Sequence, residues 1–471
     1  MPGAGQLWVG RWHRGVVLVA VWAALVVSVL ALPVRDVVGI PSLLARPGVL
    51  DAVLVGNVVV LAFRAYAIID AFRCARRPLR MPVPLLPATA GEHVVVRAAG
   101  VALAVVNVLP HAAVAHYGLE ARAVLTDVFP VAAEPAHAAE PVGADGPEST
   151  GRAEPSSLMG RDRFSILLLG SDAGPLRRSL RTDSIMVATI EPSSGRAGLI
   201  SVPRNLVRVP LPGWVRAPWR CGCFPGPING LFDYFRDRDD LVPDGVDDPG
   251  MAVLIGAVEE LLQLPIDRYA MVDLRGFVDV VDALGGVTVH VDRRIYDQLD
   301  SPHEGEWDAI DLRPGRHHLD GRQALVYVRT RRGSDDYGRM HRQRCFLGAL
   351  LEQADAPTVL RRFARLAAIA RASITTDLPR DVLSDVVDLA VMVDPADVRL
   401  LSVTPPDFVA GRDRDGYPIP DVALVRTAVR SLLDAEPAPA APAPVVQSAT
   451  TRETPTTTPP PTTEPLSRAC R

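Results

Sequence analysis

The chain has 471 residues, 48% of them apolar, and a formal net charge of −4. The acidic balance and an aromatic content of 5% argue against general nucleic-acid binding, which needs a basic surface and stacking rings. The length predicts more than one structural unit. All 50 basic residues are arginine, and we attribute most of that bias to codon usage.

Three apolar segments near the N-terminus, at about 15–34, 52–72 and 97–116, are each long enough for a transmembrane helix, which takes about 20 residues. The alternative for the last two is a pair of buried helices in a soluble domain. The second segment carries Arg64 and Asp70, which we expect to pair along one helix face or to reach toward the inner membrane edge. Residues 1–117 are therefore predicted to be a membrane anchor with three transmembrane helices.

Short arginine-rich loops predict the orientation of these helices. Arg11 and Arg14 precede the first segment, and four arginines follow the second between 73 and 80. Cytoplasmic loops carry such an excess of positive charge. We therefore expect a multi-pass protein of the cell membrane in which everything after residue 117 lies outside the cytoplasm.

Composition divides the rest of the chain. Residues 118–160 are rich in Ala, Pro, Gly and Glu, and residues 435–471 in Pro and Thr. Neither stretch can bury much apolar surface, so we predict a flexible linker and a disordered tail. Residues 161–434 remain as one extracytoplasmic folded domain.

Strand and helix patterns alternate through this domain. "FSILLLG", at 164–170, is a continuous apolar run typical of a strand buried on both faces. "MAVLIGAVEELLQL", "RGFVDVVDALGG", "GRQALVYVR" and "YGRMHRQRCFLGALLEQA" have helical spacing. The fold class is therefore α/β, with a central mixed β-sheet flanked by helices. The order of the strands is not readable from the sequence.

The cysteines show no metal-binding pattern. The five lie at positions 74, 221, 223, 345 and 470, with no CxxC pair. The "CGC" at 221–223 is too tight for an easy mutual disulfide, although either cysteine can pair elsewhere in an oxidising compartment. We favour free or structural cysteines.

Two aspartates follow or begin predicted strands. Asp172 comes just after the apolar run that ends at Gly170, and Asp183 begins the next strand beside Arg181. Carboxylates at one sheet edge suit Mg²⁺, which prefers oxygen ligands and substrate phosphates. In the alternative interpretation, one aspartate caps a turn and the other pairs with Arg181.

The most basic stretch is "VYVRTRRGSDDYGRMHRQR", residues 326–344, with six arginines. Arg339 and Gln343 are four residues apart, hence on one helix face, and a helix N-terminus favours anions. Six close arginines repel one another unless an anion binds. The alternative is a solvated face, or pairing with Asp335 and Asp336.

Seven blocks in order resemble one family. They are "ILLLGSD" (166–172), "RTDSIMV" (181–187), "SVPRN" (201–205), "IN" (228–229), "VDALGGVTV" (281–289), "LDGRQALVYVRTR" (319–331) and "DYGRMHRQR" (336–344). Together they resemble the LytR-CpsA-Psr (LCP) family of cell-wall glycopolymer transferases. The resemblance implies an LCP-like domain with an apolar lipid pocket, for which we expect a lining from the 251–262, 271–289 and 345–351 segments.

The resemblance also implies the chemistry: a Mg²⁺-dependent phosphotransferase that moves a glycan phosphate from a polyprenyl-pyrophosphate carrier to peptidoglycan. It implies metal ligation by Asp172 and Asp183, and catalytic roles for these two with Arg204 and Arg339. The implied pyrophosphate-binding residues are Arg181, Arg204, Arg329, Arg331, Arg339 and Gln343.

The sequence departs from the family at one position and leaves two rival functions open. The family most often reads Pro-Arg-Asp, where this chain has Pro203-Arg204-Asn205. Asn orients a neighbour by hydrogen bonding but takes no proton, so we expect Asn205 to act in positioning. The rivals are a pyrophosphatase that uses water as acceptor and a non-catalytic membrane regulator that binds lipid-linked glycan.

Overall fold

The computed structural model describes residues 1–8, 10–30, 43–46, 48–75, 90–129, 158–172, 181–300, 306–353, 358, 361–394, 397–434 and 464–465. The chain divides into two compact units, Met1–Leu125 and Thr126–Arg471.

The first unit is helical. Its helices are α1 (Ala4–Trp8), α2 (Trp12–Leu30), α3 (Val49–Ala75) and α4 (Ala90–Asp127). Among the described residues, only the Val49–Ala71 part of α3 is both long and apolar enough to cross a membrane, and Trp12–Val27 is a shorter apolar helix. The second predicted span is therefore supported by length and composition, and the count of three spans stays a prediction.

Polar side chains of the first unit pair between helices. Asp70 of α3 accepts hydrogen bonds from Arg14 (Nη1 to Oδ1, 3.2 Å) and Gln6 (Nε2 to Oδ2, 3.2 Å). The Arg64 guanidinium lies 5.7 Å from the ring centre of Trp22. The expected pairing of Arg64 with Asp70 is therefore wrong, because side chains six residues apart lie on different faces of a helix.

Both predicted ends of the linker are wrong. Residues 118–127 belong to α4. The physical reason is that this segment is rich in the good helix formers Ala, Leu, Glu and Arg. At the other end, a 3₁₀ turn at Leu158–Gly160 is part of the second unit. Leu158 is buried there, and its N–H donates to Asp385 Oδ2 at 2.8 Å. Residues 130–157 of the predicted linker lie outside the described residues.

The second unit is built on a seven-stranded sheet. Its strands are β1 (Phe164–Ser171), β2 (Thr182–Ile190), β3 (Ala197–Val202), β6 (Arg268–Val272), β11 (Ile374–Thr376), β12 (Arg399–Ser402) and β15 (Glu464–Pro465). They follow the spatial order β11-β6-β1-β2-β3-β12-β15. The β1–β6 and β3–β12 pairs are parallel and the other pairs antiparallel, so the predicted mixed α/β sheet is confirmed.

Four two-stranded ribbons complete the sheet structure. They join β4 (Val209–Pro210) to β5 (Cys223–Phe224), β7 (Val287–Val291) to β10 (Gly315–Leu319), β8 (Ile295–Asp300) to β9 (Trp307–Leu312), and β13 (Val409–Arg412) to β14 (Pro418–Pro420). The helices are α5 (Leu231–Phe235), α6 (Pro249–Leu262), α7 (Leu274–Leu284), α8 (Gly321–Arg329), α9 (Asp336–Gln353), α10 (Phe363–Ser373), α11 (Leu383–Met392) and α12 (Val422–Asp434).

The two faces of the sheet differ. On one face Leu167, Ile185 and Ile200 pack into the main core with α6 and α12. On the other face, Leu168 and Met186 are half-buried and line a cavity. The continuous apolar run of β1 therefore has two causes, a core on one side and an apolar cavity on the other.

Side chains mark the helix starts that matter for the site. Asp273 caps α7 by accepting the Gly276 N–H at 2.7 Å. Asp320 and Gln323 form a reciprocal capping box at the start of α8. These caps fix where α7 and α8 begin; α7 starts at the cavity, and α8 reaches it with its later residues.

Two cysteines pair against expectation. Cys221 and Cys223 form a disulfide with their Cα atoms 5.1 Å apart. Gly222 between them has φ = +59°, a conformation that glycine adopts without strain and that folds the chain back within one residue. Cys345 is also disulfide-bonded, so the expectation of free cysteines holds among the described residues for Cys74.

The predicted disorder of the tail does not hold at one point. Glu464 pairs with Leu400 and Pro465 with Arg399, which makes β15 the strand next to β12. The other residues of 435–471 lie outside the described residues.

Candidate active site

A cavity of about 680 Å³ lies against the second face of the sheet. It is bounded by strands β1, β2 and β6 and by helices α7, α8 and α9. Most of its lining is apolar, including Leu168, Met186, Met271, Phe277, Val280, Val281, Leu299, Leu325, Phe346, Leu347 and Leu350.

The expected lining of an apolar pocket is confirmed for two of its three segments. The 271–289 and 345–351 segments contribute Phe277 and Leu347, for example, to the lining. The 251–262 segment does not. Its apolar residues are buried on the opposite face of the sheet, in the main core, because the periodicity of a helix does not reveal which face of a sheet it covers.

The polar part of the lining contains most of the predicted pyrophosphate-binding residues. Arg204, Arg329, Arg331, Arg339 and Gln343 all line the cavity, together with Asp183. These residues come from β2, the turn after β3, the end of α8 and the first two turns of α9. These five residues lie together, as the sequence predicts. Their roles in binding and catalysis remain predictions.

A β-bulge sets the position of Asp183. Gly170 pairs with Ser184 and Ser171 pairs with Thr182, so Asp183 is an extra residue between two regular pairs. Bulges of this kind redirect a side chain and occur beside active sites. The Asp183 carboxylate is thereby placed among the arginines.

Four charged side chains form a continuous network. Arg204 donates from Nη1 to Asp183 Oδ1 at 2.7 Å and from Nη2 to Asp336 Oδ1 at 3.0 Å. Arg339 donates from Nη2 to Asp336 Oδ2 at 3.0 Å and from Nη1 to the Asp183 carbonyl at 2.9 Å. Asn229 adds a hydrogen bond to Asp183 Oδ1 at 3.1 Å. Asp336 therefore holds the two guanidiniums side by side.

The network stabilises ionised carboxylates. Burial favours the neutral form of Asp183, but Arg204, Asn229 and Arg339 outweigh it and lower the pKa of that carboxyl. Burial acts in the same way on Asp336, and Arg339 and Arg204 together lower its pKa.

Arg339 carries an uncompensated donor. Its side chain is 3% exposed, and its Nε has no hydrogen-bond partner among the described residues. Burial and the like charge of Arg204 lower the pKa of Arg339. An anion in the cavity would relieve both effects, because unpaired buried donors are costly.

Asp172 and Arg181 are placed differently from the other predicted residues. Asp172 is buried, and its Oδ1 accepts the Arg181 N–H at 2.7 Å while its own N–H donates to the Arg181 carbonyl at 3.0 Å. This matches the turn-capping alternative for Asp172. The Arg181 side chain is exposed and is not part of the cavity lining. Asp183, for its part, pairs with Arg204 and not with Arg181.

Sequence reasoning missed Arg332, which also lines the cavity. Its guanidinium lies 4.6 Å from the ring centre of Tyr296 and 3.8 Å from Asp297. Neighbouring contacts tie the same loop to the β8–β9 ribbon. Thr330 Oγ1 donates to Asp297 Oδ2 at 2.6 Å, and Arg329 Nη1 donates to the Asp300 carbonyl at 3.2 Å.

Sequence reasoning also missed Arg342, which holds the loop between α8 and α9 in place by hydrogen bonds. It is buried, and it donates from Nε to the Tyr327 carbonyl at 3.0 Å, from Nη2 to the Thr330 carbonyl, and from Nη1 to Ser334 Oγ at 3.1 Å. The six-arginine stretch signalled it, but only the contacts separate this positioning arginine from those that line the cavity.

Asn205 follows Arg204 in the turn after β3. Its Oδ1 is buried, as is the Tyr337 hydroxyl, and neither atom has a hydrogen-bond partner among the described residues. Burial raises the pKa of Tyr337. The two side chains are neighbours next to Arg204 and Asp336.

The carboxylates of Asp172 and Asp183 are ligands of the kind that a hard divalent cation takes when substrate supplies its other ligands. No cluster of three or more His, Cys, Asp or Glu side chains suited to a metal occurs in the part of the chain that the structure describes. Asp172 and Asp183 lie at adjacent strand ends, and each uses its Oδ1 for protein contacts. Mg²⁺ is commonly held by one or two carboxylates plus substrate phosphates, so these residues fit that ion.

The seven sequence blocks that resemble the LCP family all lie in the second unit, whose mixed sheet carries the apolar cavity bordered by arginines. Residues 136–418 match the LytR_cpsA_psr family, and the chain belongs to that family.

Relatives of known name cover the same region. The polyisoprenyl-teichoic acid–peptidoglycan teichoic acid transferase TagV of Bacillus subtilis is 27% identical over 285 residues, covering 59% of this chain and 67% of that protein. Biofilm regulatory protein A of Streptococcus mutans is 29% identical over 223 residues, 46% of this chain and 50% of that protein. The matched region thus spans one half to two thirds of these relatives. A crystal structure of B. subtilis TagV, 26% identical, covers 59% of this chain and 99% of that chain with a TM-score of 0.42.

Proposed function

We propose that this protein transfers a glycan phosphate from a polyprenyl-pyrophosphate carrier to peptidoglycan, with Mg²⁺ as cofactor. The observation that carries the proposal is the convergence of Asp183, Arg204, Arg329, Arg331, Arg339 and Gln343 on one apolar cavity. A hydrocarbon chain and a diphosphate are the two parts of such a carrier, and the cavity offers a suitable surface to each. The name of the B. subtilis relative TagV agrees with this reaction class.

The charge of the lining supports a diphosphate. Five arginines line the cavity against three carboxylates, those of Asp183, Asp273 and Asp297. Asp336, which binds Arg204 and Arg339 from outside the lining, reduces this excess to one positive charge. A net positive lining favours a diphosphate diester, which carries one negative charge on each phosphate. Arginine suits this ligand because its planar fork donates two hydrogen bonds to phosphate oxygens.

The reaction is a displacement at phosphorus. A hydroxyl oxygen of peptidoglycan attacks the phosphorus next to the sugar, and the bond from that phosphorus to the bridging oxygen breaks. Polyprenyl phosphate leaves, the glycan stays bonded through phosphate to the acceptor, and one proton is released to solvent. The protein acts by positioning and charge stabilisation, as in phosphoryl transfer generally.

Individual side chains have distinct tasks. Arg339, whose Nε lacks a protein partner among the described residues, donates to the diphosphate, and Arg204 is held beside it by Asp336. Asp172 and Asp183 would hold Mg²⁺, which when bound supplies positive charge to phosphate oxygens. Asn229 and Arg204 keep Asp183 ionised for that purpose.

A membrane location follows from the substrate and from α3. The helix segment Val49–Ala71 is long and apolar enough to anchor the chain, and the leaving polyprenyl phosphate would stay in the same bilayer. The arginine-rich loops, taken together with the three predicted spans, support a second unit outside the cytoplasm, where peptidoglycan lies.

The test is release of polyprenyl phosphate from a lipid-pyrophosphate glycan by the full chain in detergent, with and without Mg²⁺ and with and without peptidoglycan. Asp183→Ala is expected to reduce release to background, and Asp415→Asn, an exposed site away from the cavity, serves as the control. Release that does not depend on peptidoglycan would indicate a pyrophosphatase. Equal background release from wild type and Asp183→Ala would leave a non-catalytic binder.

A further inference from the structure

The β8–β9 ribbon has two different faces. Asp297 and Leu299 of β8 line the cavity. Side chains alternate along a strand, so Tyr296, Gln298 and Asp300 point the other way, and all three are exposed. In the ladder they pair with Asp311, Ala309 and Trp307 of β9, which are exposed as well. We call these six residues the outer ribbon face.

The outer ribbon face is continuous with the opening of the cavity. Arg331 and Arg332 line the cavity and are exposed, which shows where it meets solvent. Arg332 also stacks on Tyr296, 4.6 Å from its ring centre. A molecule lying on the outer ribbon face therefore reaches the polar part of the cavity lining across Arg332.

The composition of this face suits a neutral, hydroxyl-rich ring compound. Trp307 is 61% exposed and Tyr296 is 49% exposed, and the two are separated diagonally by the Gln298–Ala309 pair. At about 3.4 Å per residue the two aromatic residues are about 14 Å apart along the ribbon, which spans more than one sugar ring. Small Ala309 leaves a shallow floor between them, and Gln298 offers both a donor and an acceptor.

The face carries two carboxylates, those of Asp300 and Asp311, and Asp311 is paired. Arg294 binds Asp311 through two hydrogen bonds of 2.7 Å each, so neither charge is available to recruit a polyanion. Exposed aromatic rings bordered by paired polar groups combine an apolar surface with hydrogen-bonding partners. The C–H faces and hydroxyls of a sugar have the same combination.

We propose that the outer ribbon face is a saccharide subsite that binds the glycan strand of the acceptor. This inference rests on the proposed transfer reaction and names a surface that reaction requires. The donor's lipid and diphosphate occupy the cavity, on the other side of the ribbon. The acceptor comes from solvent, and a strand held along Trp307 and Gln298 presents its hydroxyl to the phosphorus past Arg332.

Binding to polymer-free peptidoglycan sacculi tests the subsite without requiring catalysis. The full chain in detergent is sedimented with purified sacculi, as wild type, Trp307→Ala, Gln298→Ala and, as control, Tyr417→Ala at another exposed aromatic residue. Loss of one stacked ring predicts about a five- to tenfold weaker association for Trp307→Ala. Gln298→Ala is expected to weaken it less, and Tyr417→Ala to bind as wild type.

Kinetics separate this subsite from the proposed function itself. Trp307→Ala is expected to raise the acceptor KM while donor binding and melting temperature stay as in wild type. Equal sacculus binding by wild type, Trp307→Ala and Gln298→Ala overturns the subsite, even if transfer occurs. Absence of any transfer by wild type, with Trp307-dependent binding intact, refutes the reaction and keeps the saccharide surface.

Discussion

Asp336 is the residue on which the arrangement of the two central arginines depends, and Asp336→Asn tests that dependence. Its side chain is 12% exposed. It accepts two hydrogen bonds from Arg204, of 3.3 and 3.0 Å, and one of 3.0 Å from Arg339. Removing one partner of such a buried pair costs about 3 kcal/mol. For a unit of this size that corresponds to a fall in melting temperature of about 5 °C.

The sign of the pH dependence follows from the lowered pKa of Asp336. A carboxyl whose pKa is lower in the folded state stabilises the fold above its unfolded pKa of about 3.9, and this contribution is lost as the pH falls through the folded value. The difference between wild type and Asp336→Asn is therefore largest at neutral pH and shrinks in acid.

Thermal unfolding followed by tryptophan fluorescence, at neutral pH and at about pH 3, measures both effects, with Asp415→Asn as the matched control. Polyprenyl phosphate release by the same samples should fall by at least about tenfold, because both guanidiniums lose their anchor. A melting temperature equal to wild type at neutral pH, or a difference that persists unchanged in acid, would refute the reasoning.

Three further predictions concern the cavity and its loop. Arg331→Ala, at an exposed lining position, should weaken diphosphate-lipid binding about tenfold without changing the melting temperature; calorimetry of donor binding checks it. Leu350→Gln should weaken binding of long polyprenyl chains more than of short ones, about tenfold at most; competition between chain lengths tests this. Lysine cannot reproduce the three loop contacts of Arg342, so Arg342→Lys should raise the donor KM. Arg342→Gln should raise it further.

Part of the site could be predicted from the sequence because it depends on local patterns of residue spacing. The four-residue spacing of Arg339 and Gln343 predicts one helix face, and both line the cavity. The placement of Arg204 after β3 followed from an apolar run that ends before Pro203. Capping residues and glycines at the ends of the apolar segments predict helices at α7 and α8, and helical spacing predicts α9. The alternation of strands and helices predicts the mixed sheet.

Other parts depended on contacts between distant segments. Nothing local in "RTDSIMV" reveals that Asp183 is the extra residue of a bulge. Asp336 was expected as a charge partner at most, and its bridge to Arg204 joins residues 132 positions apart. Asp172 turned out to close a turn against Arg181, an alternative that spacing alone left open. The 251–262 helix was assigned to the wrong face because its apolar residues carry no directional information.

The Cys221–Cys223 disulfide has a consequence for where the second unit matures. Cytosolic thiol systems keep such cysteines reduced, whereas secreted and surface proteins retain the bond. The bond therefore agrees with the expectation, drawn from the arginine-rich loops and the three predicted spans, that the second unit lies outside the cytoplasm. Material produced in a reducing cytosol would therefore start with a different loop around Gly222 from material that has crossed the membrane.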